Sequence, residues 1–155
     1  MKLRSILLPT DFSECAEGAL SYATDLARAA GARLVCLHVV EPLVPPVGYG
    51  PITEPMPALD VAGQLEESAH RELPRLARRE ECEGLQVEEL VAHGEPASEI
   101  VRAARERAVD LIVISSHGRT GLGRILFGST AESVVRHAHC PVLVVKPRES
   151  KESNE

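Results

Sequence analysis

The feature that most restricts how this chain folds is the regular return of short apolar runs, each of strand length and rich in β-branched residues. They are RSILLP (residues 4–9), RLVCLHVV (33–40), LQVEELV (85–91), VDLIVISS (109–116) and PVLVVK (141–146). The runs around Leu34 and Ile112 are almost continuously apolar. A strand reads that way when both of its faces are covered, which is the situation in a parallel sheet.

Helical spacing fills the gaps. Residues 13–30 form an alanine-rich helix stopped by Gly31 in a left-handed conformation. Residues 60 to about 79 form a longer amphipathic helix that Pro74 is expected to kink or interrupt. GEPASEIVRAARER places Pro96 in a first turn and Ile100, Ala103, Ala104 and Arg107 on one face. The last helix spans residues 129–137, with Ser129 and Glu132 in capping-box spacing. Strands alternating with helices, joined by right-handed crossovers, give a single-domain, doubly wound α/β sandwich of about five parallel strands. Residues 1–147 are expected to form that domain and residues 148–155 a charged, frayed tail. The proline-rich segment 41–57 is expected to be a surface loop near the site, suited to act as a lid.

Bulk properties narrow the function. A chain of 155 residues buries about two-thirds of its unfolded surface in one core, and with 3% aromatic residues that core is aliphatic. A net charge of −6 argues against nucleic acid as the partner, because a phosphate backbone needs a basic face. No run approaches the roughly 20 apolar residues of a membrane span, and the start MKLRSILLPTDF turns polar too soon for a signal peptide. The expected location is therefore the cytoplasm, with no membrane partner. Cys15, Cys36, Cys82 and Cys140 form no C-x-x-C pair and read as reduced, partly buried residues.

The stretch SSHGRTGLGRILFGSTAESV (115–134) carries four glycines and two adjacent hydroxyl residues between an apolar run and a helix start. It leaves the carboxyl end of a strand, where open α/β sheets bind ligands. It is not a Walker A loop, since Arg124 and Ile125 stand where Lys and Ser/Thr are required. Nor is it a dinucleotide fingerprint, since residue 126 is leucine. Gly118 can bring bare backbone near an anion, while Gly128, Ser129 and Thr130 offer N–H groups and hydroxyls at the positive end of a helix. Two uses remain open on pattern alone: a phosphate grip, or glycines serving turns with Ser129 as an N-cap.

The same residues resemble the nucleotide-binding type of universal stress protein, whose motif is Gly, two residues, Gly, nine residues, Gly, then Ser or Thr. Here the motif reads Ser115, SH, Gly118, RTGLGRILF, Gly128, Ser129, so serine replaces the first glycine. The similarity extends along nearly the whole chain through ILLPTDFS, LHVV, VDLIVISSHGRTGL and HCPVLVVK. The resemblance implies a Rossmann-like fold of the adenine nucleotide alpha hydrolase kind. It implies an adenine nucleotide ligand, ATP with Mg2+ or else AMP or ADP. Phosphate contacts are implied at Gly118, Gly128, Ser129 and Thr130, flanked by His117 and Arg119. Ribose contacts are implied at Asp11 of the Pro9-Thr10-Asp11 turn and an adenine contact at Val39, with Ser115 where the family glycine approaches the ribose. A carboxylate accepts both ribose hydroxyl protons, and strand-end backbone pairs with an adenine edge. The added Cβ of Ser115 is expected to lower affinity.

Several of these residues have plainer readings. Asp11 equally suits a cap of the following helix, and Arg119 and Arg124 equally suit solvated loop positions. His38, His93 and His117 each follow an apolar run and are considered as a metal site, against the commoner use of histidine to orient loops. HAHC (137–140) sits at a helix end, where histidine meets the negative pole of the dipole. The expected function is a stress-response protein regulated by ATP and not a fast enzyme, at most a slow hydrolase. Its rival is a dimeric interaction module that has lost nucleotide binding, and a third possibility is a nucleotide-dependent enzyme of the wider superfamily. The apolar strand PVLVVK, if it lies at a sheet edge, is expected to pair with its copy in a homodimer.

Overall fold

The structure, a computed structural model, describes residues 2–42, 61–117 and 127–146. Its elements in chain order are β1 (Ser5–Pro9), α1 (Glu14–Ala30), β2 (Arg33–Val40), α2 (Val61–Ala77), β3 (Val87–His93), α3 (Pro96–Glu106), β4 (Leu111–Ser115), α4 (Ser129–His137) and β5 (Val142–Val145). All strands are parallel, in the order β3-β2-β1-β4-β5. This is the doubly wound α/β arrangement expected from the alternation of runs, with β5 at an edge.

Alternation along each strand divides the core into two layers. Ile6, Leu8, Leu34 and Cys36 pack with Ala19, Leu20, Ala23 and Leu73 of α1 and α2. Leu7, Val35, Leu37, Ile112 and Ile114 point the other way and pack with Ile100, Ala103, Ala131 and Val134 of α3 and α4. Both faces of β1 are sealed, which is why Ile6, Leu7 and Leu8 are all apolar and all fully buried. Each such leucine or isoleucine contributes about 1.5–3 kcal/mol through burial.

Local chemistry sets the ends. Ser13 caps α1 by accepting the Ala16 N–H, and Gly31 closes it at φ 63°. Glu95 caps α3, with Pro96 as its first residue. Pro74 lies inside α2, three residues before Ala77 ends the helix, and does not interrupt it. Arg107 lies just past α3, on its C-cap, and pairs with Glu88. The third strand begins two residues later than its apolar run. The Leu85 N–H bonds back to Cys82 after Gly84 at φ 76°, so pairing with β2 begins only at Gln86, whose carbonyl accepts the Leu34 N–H. The four cysteines are free thiols, and burial, aided by the nearby Cys82, pushes Cys36 up to about 12. The tail beyond Lys146 and nearly all of the 41–57 segment lie outside the described residues.

Candidate functional site

The chain runs outward from β1 through β2 to β3, then crosses back to β4 and on to β5. Such a reversal opens a crevice beyond the carboxyl ends of the two central strands. The β1–β4 ladder registers Ile6 with Leu111 and Leu7 with Ile112, while the strands run on to Pro9 and Ser115. The Thr10 N–H donates to Leu37 of β2 at 2.8 Å. By alternation, the N–H that Pro9 lacks is the one that would have faced β4, so the sequence itself ends the ladder there.

One wall of the crevice is the turn after β1. The Thr10 hydroxyl accepts the Phe12 N–H at 3.0 Å, and Asp11 Oδ1 accepts both the N–H and the hydroxyl of Ser13. Ser13, not Asp11, caps α1. Phe12 is held at φ 61°, a left-handed conformation that costs a non-glycine residue about 1–2 kcal/mol. Behind it the His38 ring stacks on Phe12 with centroids 4.7 Å apart, and His38 Nδ1 lies 2.8 Å from the Thr10 carbonyl.

The second wall is the end of β4. The Ser116 N–H donates to Val145 of β5, and the Ser116 carbonyl accepts the Gly128 N–H at 2.7 Å, fixing the start of α4 beside the strand. The Ser115 hydroxyl donates to the His117 carbonyl at 2.9 Å, and the fully buried Ser116 bonds through its hydroxyl to His117 Nδ1.

The start of α4 closes the crevice. Its N-cap is Gly128, with φ −70° and ψ 157°, and no described side chain caps the helix. The expected capping box between Ser129 and Glu132 does not form. Gly128 takes the cap position when it is tied to Ser116, which leaves Ser129 as the first helical residue, and Glu132 instead pairs with Arg136. A Cβ on Gly128 would meet the Ser116 carbonyl at 3.4 Å and His117 Cα at 3.7 Å, ordinary contacts.

The fold therefore brings Pro9, Thr10 and Asp11, then Ser115 and His117, then Gly128, Ser129 and Thr130, to the carboxyl end of the sheet around one strand reversal. Val39 stands one strand away, in β2, registered with Ala92 of β3 and packed toward the α3–α4 layer. Gly118, Arg119 and Arg124 lie outside the described residues. The three histidines do not form a metal site. His38 serves the β1 turn, His93 faces Glu66 and His117 bonds to Ser116, and no group of three or more His, Cys, Asp or Glu suited to a metal occurs among the described residues. His137 donates from Nδ1 to the Ser133 carbonyl at the end of α4, as a helix-terminal histidine should. Sequence reasoning missed the left-handed Phe12 and the His38–Thr10 bond. The available signal was Thr10 and Asp11 each standing two residues before the amide it binds, the spacing of hydroxyl and Asx turns.

The chain matches the family model of the Universal stress protein family over residues 2–146. It belongs to the universal stress protein family. Universal stress protein MJ0531 of Methanocaldococcus jannaschii is 36% identical over 147 residues, 92% of this chain and 82% of the relative. The solved structure of MJ0577 superposes with a TM-score of 0.79 at 30% identity, covering 97% of this chain and 100% of that one. A universal stress protein from Archaeoglobus fulgidus in complex with dAMP gives a TM-score of 0.61 at 29% identity, covering 94% and 100%. No helix among the described residues is long and apolar enough to cross a membrane.

Proposed function

We propose that this universal stress protein binds ATP, or the related AMP or ADP, along the β1–β4 crevice and works in the cytoplasm as a nucleotide-dependent regulatory module. The observation that carries this reading is the start of α4. Gly128 has an ordinary backbone conformation and, among the described residues, room for a Cβ, so this part of the fold does not itself call for glycine, and no described side chain covers the first N–H groups of the helix. A phosphate seated there gains both hydrogen bonds and the helix dipole. In this reading Gly128, Ser129 and Thr130 hold the phosphates together with His117, Gly118 and Arg119. Asp11, presented by Pro9 and Thr10, takes the ribose hydroxyls, Ser115 stands near the ribose, and the Val39 backbone meets the adenine edge. The relative in complex with dAMP supports an adenine nucleotide at this fold. Mg2+, where it accompanies ATP, would be held chiefly by phosphate oxygens, which is its usual habit.

A second reading, a dimeric interaction module without nucleotide, is favoured by Ser115. Its hydroxyl is turned onto the His117 carbonyl, and its Cβ stands where the family motif has none. Releasing small molecules from the denatured protein and titrating ATP into the folded protein decide between the two. The chain has no Trp and 2 Tyr, so a co-purified adenine nucleotide would dominate the ultraviolet spectrum. Finding none, with no binding of added ATP, favours the module.

Under either reading the edge strand β5 is proposed to pair antiparallel with its copy. Its Leu143 side chain is exposed and, among the described residues, its outer backbone edge has no neighbouring strand. Val144→Pro is expected to weaken the homodimer by removing a ladder donor, and a monomeric mass by light scattering at micromolar concentration for the unmodified protein would discount the dimer altogether.

A further inference from the structure

We propose that His38 is a positioning residue for the ribose end of the crevice, fixing the Thr10–Phe12 turn from behind and through it the direction of the Asp11 carboxylate. The inference rests on the proposed nucleotide site and adds to it a residue that would not itself touch the ligand. His38 shares its strand face with Leu34 and Cys36, which pack toward α1 and α2, as does Phe12. Val39, the proposed adenine contact, packs toward the opposite layer. One strand end thus serves the crevice with one residue and braces its wall with the preceding one.

The geometry assigns the proton. The Thr10 carbonyl only accepts, so His38 Nδ1 carries a hydrogen and donates it across 2.8 Å. Thr10 is then held at three points, by its N–H on Leu37, its carbonyl on His38 and its hydroxyl on the Phe12 N–H. The stack of Phe12 on His38 fixes the residue whose left-handed backbone makes the corner. Asp11 lies between these two fixed residues, and Ser13 secures one of its carboxylate oxygens. Without the His38 donor, the Thr10 carbonyl loses its side-chain partner and the corner loses the bond that orients it.

Two substitutions separate donor from ring. His38→Phe keeps an aromatic face for Phe12 and removes the N–H; His38→Asn keeps an N–H near the Nδ1 position and removes the ring. The readout is the preference for ATP over 2′-deoxyATP, which reports the Asp11–ribose contact and which a loss of general stability would not move. A hydrogen bond to a charged group makes that preference about tenfold or more in the wild type. It is expected to fall below about threefold in His38→Phe and to persist in His38→Asn. Amide hydrogen exchange at Phe12 and Ser13 is expected to quicken in His38→Phe alone, and the 15N spectrum of neutral His38 should show Nδ1 protonated. If His38→Phe does not fold, His38→Gln, whose amide reaches the Nε2 position but not Nδ1, takes its place. Unchanged exchange in the donor-less variant overturns the positioning role, and altered exchange with an unchanged ATP preference overturns its reach to the ribose. A wild type that binds neither nucleotide brings down the proposed function and the ribose link with it, while the exchange measurement still decides whether His38 holds the turn.

Discussion

The N-termini of α3 and α4 belong to the same layer, and each starts a helix that follows a strand at the carboxyl edge of the sheet, yet they are finished in opposite ways. At α3, Glu95 folds over the helix end and accepts the N–H groups of Ala97 at 3.1 Å and Ser98 at 2.8 Å. Hydrogen bonding from Ser98, by side chain and backbone, and from the Ala97 N–H holds the Glu95 carboxyl below its usual range. At α4 the corresponding position is Gly128, which offers no side chain. Both helices present the same partial positive charge. One is neutralised by the chain's own carboxylate, whereas at the other no described side chain takes that place, which is the end the proposed function gives to a phosphate.

The largest expected effect comes from making α4 resemble α3. Gly128→Asp places a carboxylate over the first turn, where backbone geometry and space both accept it. It satisfies the N–H groups a phosphate would use and repels the phosphate as well. Losing two charge-assisted hydrogen bonds at about 1.5–3 kcal/mol each should weaken ATP binding by about a hundredfold or more. The new cap should raise stability by up to about 1 kcal/mol. Calorimetric titration and thermal unfolding measure the two together; undiminished ATP affinity in the stabilised variant would move the phosphates elsewhere. Gly128→Val, which blocks without capping, is expected to weaken binding more than tenfold with no gain in stability.

Ser129→Ala sharpens the comparison at a smaller scale. Because Ser129 is the first helical residue and not the cap, removing its hydroxyl should leave the melting temperature unchanged. The loss of one phosphate contact should weaken ATP by about tenfold. A drop in stability without a drop in affinity would return Ser129 to a purely structural role.

The contrast also marks where the sequence was legible. Burial on both faces was readable in the nearly continuous apolar runs around Leu34 and Ile112, as expected for strands of a covered parallel sheet, and Leu34, Val35, Ile112 and Val113 are all fully buried. The ends of α1 and α3 were readable in different degree: Gly31 and Pro96 stand where the sequence places them, whereas the sequence offered Asp11 as the cap of α1 and the structure uses Ser13. At α4 the Ser129–Glu132 spacing suggested a cap that does not form, because the deciding contact is long-range. Gly128 is tied to Ser116, twelve positions earlier in the sequence, and no local pattern encodes that bond. Phe12 was illegible for a related reason. A left-handed phenylalanine contradicts its own preference and is held there by Thr10 and His38, so only the assembled neighbourhood reveals it. The start of β3 was missed because Leu85 looks like strand and is spent closing the turn at Gly84.

The smallest effect tests the finished end itself. Glu95→Gln removes the charge that α3 supplies to its own N-terminus but leaves a side chain able to accept a hydrogen bond, so the loss should be at most about 1 kcal/mol. Its pH dependence identifies the cause. The Glu95 carboxyl is held below its usual range in the folded protein, so its contribution is complete above the carboxyl's unfolded value. It fades as the pH falls through the lower folded value. Wild type and Glu95→Gln should therefore differ most near neutral pH and converge in acid, in urea unfolding followed from pH 7 downward. ATP affinity should be the same in both, because this anion belongs to α3 and the crevice is built at α4. A stability gap that stays constant down to the acid range would mean that Glu95 acts through its shape and not its charge.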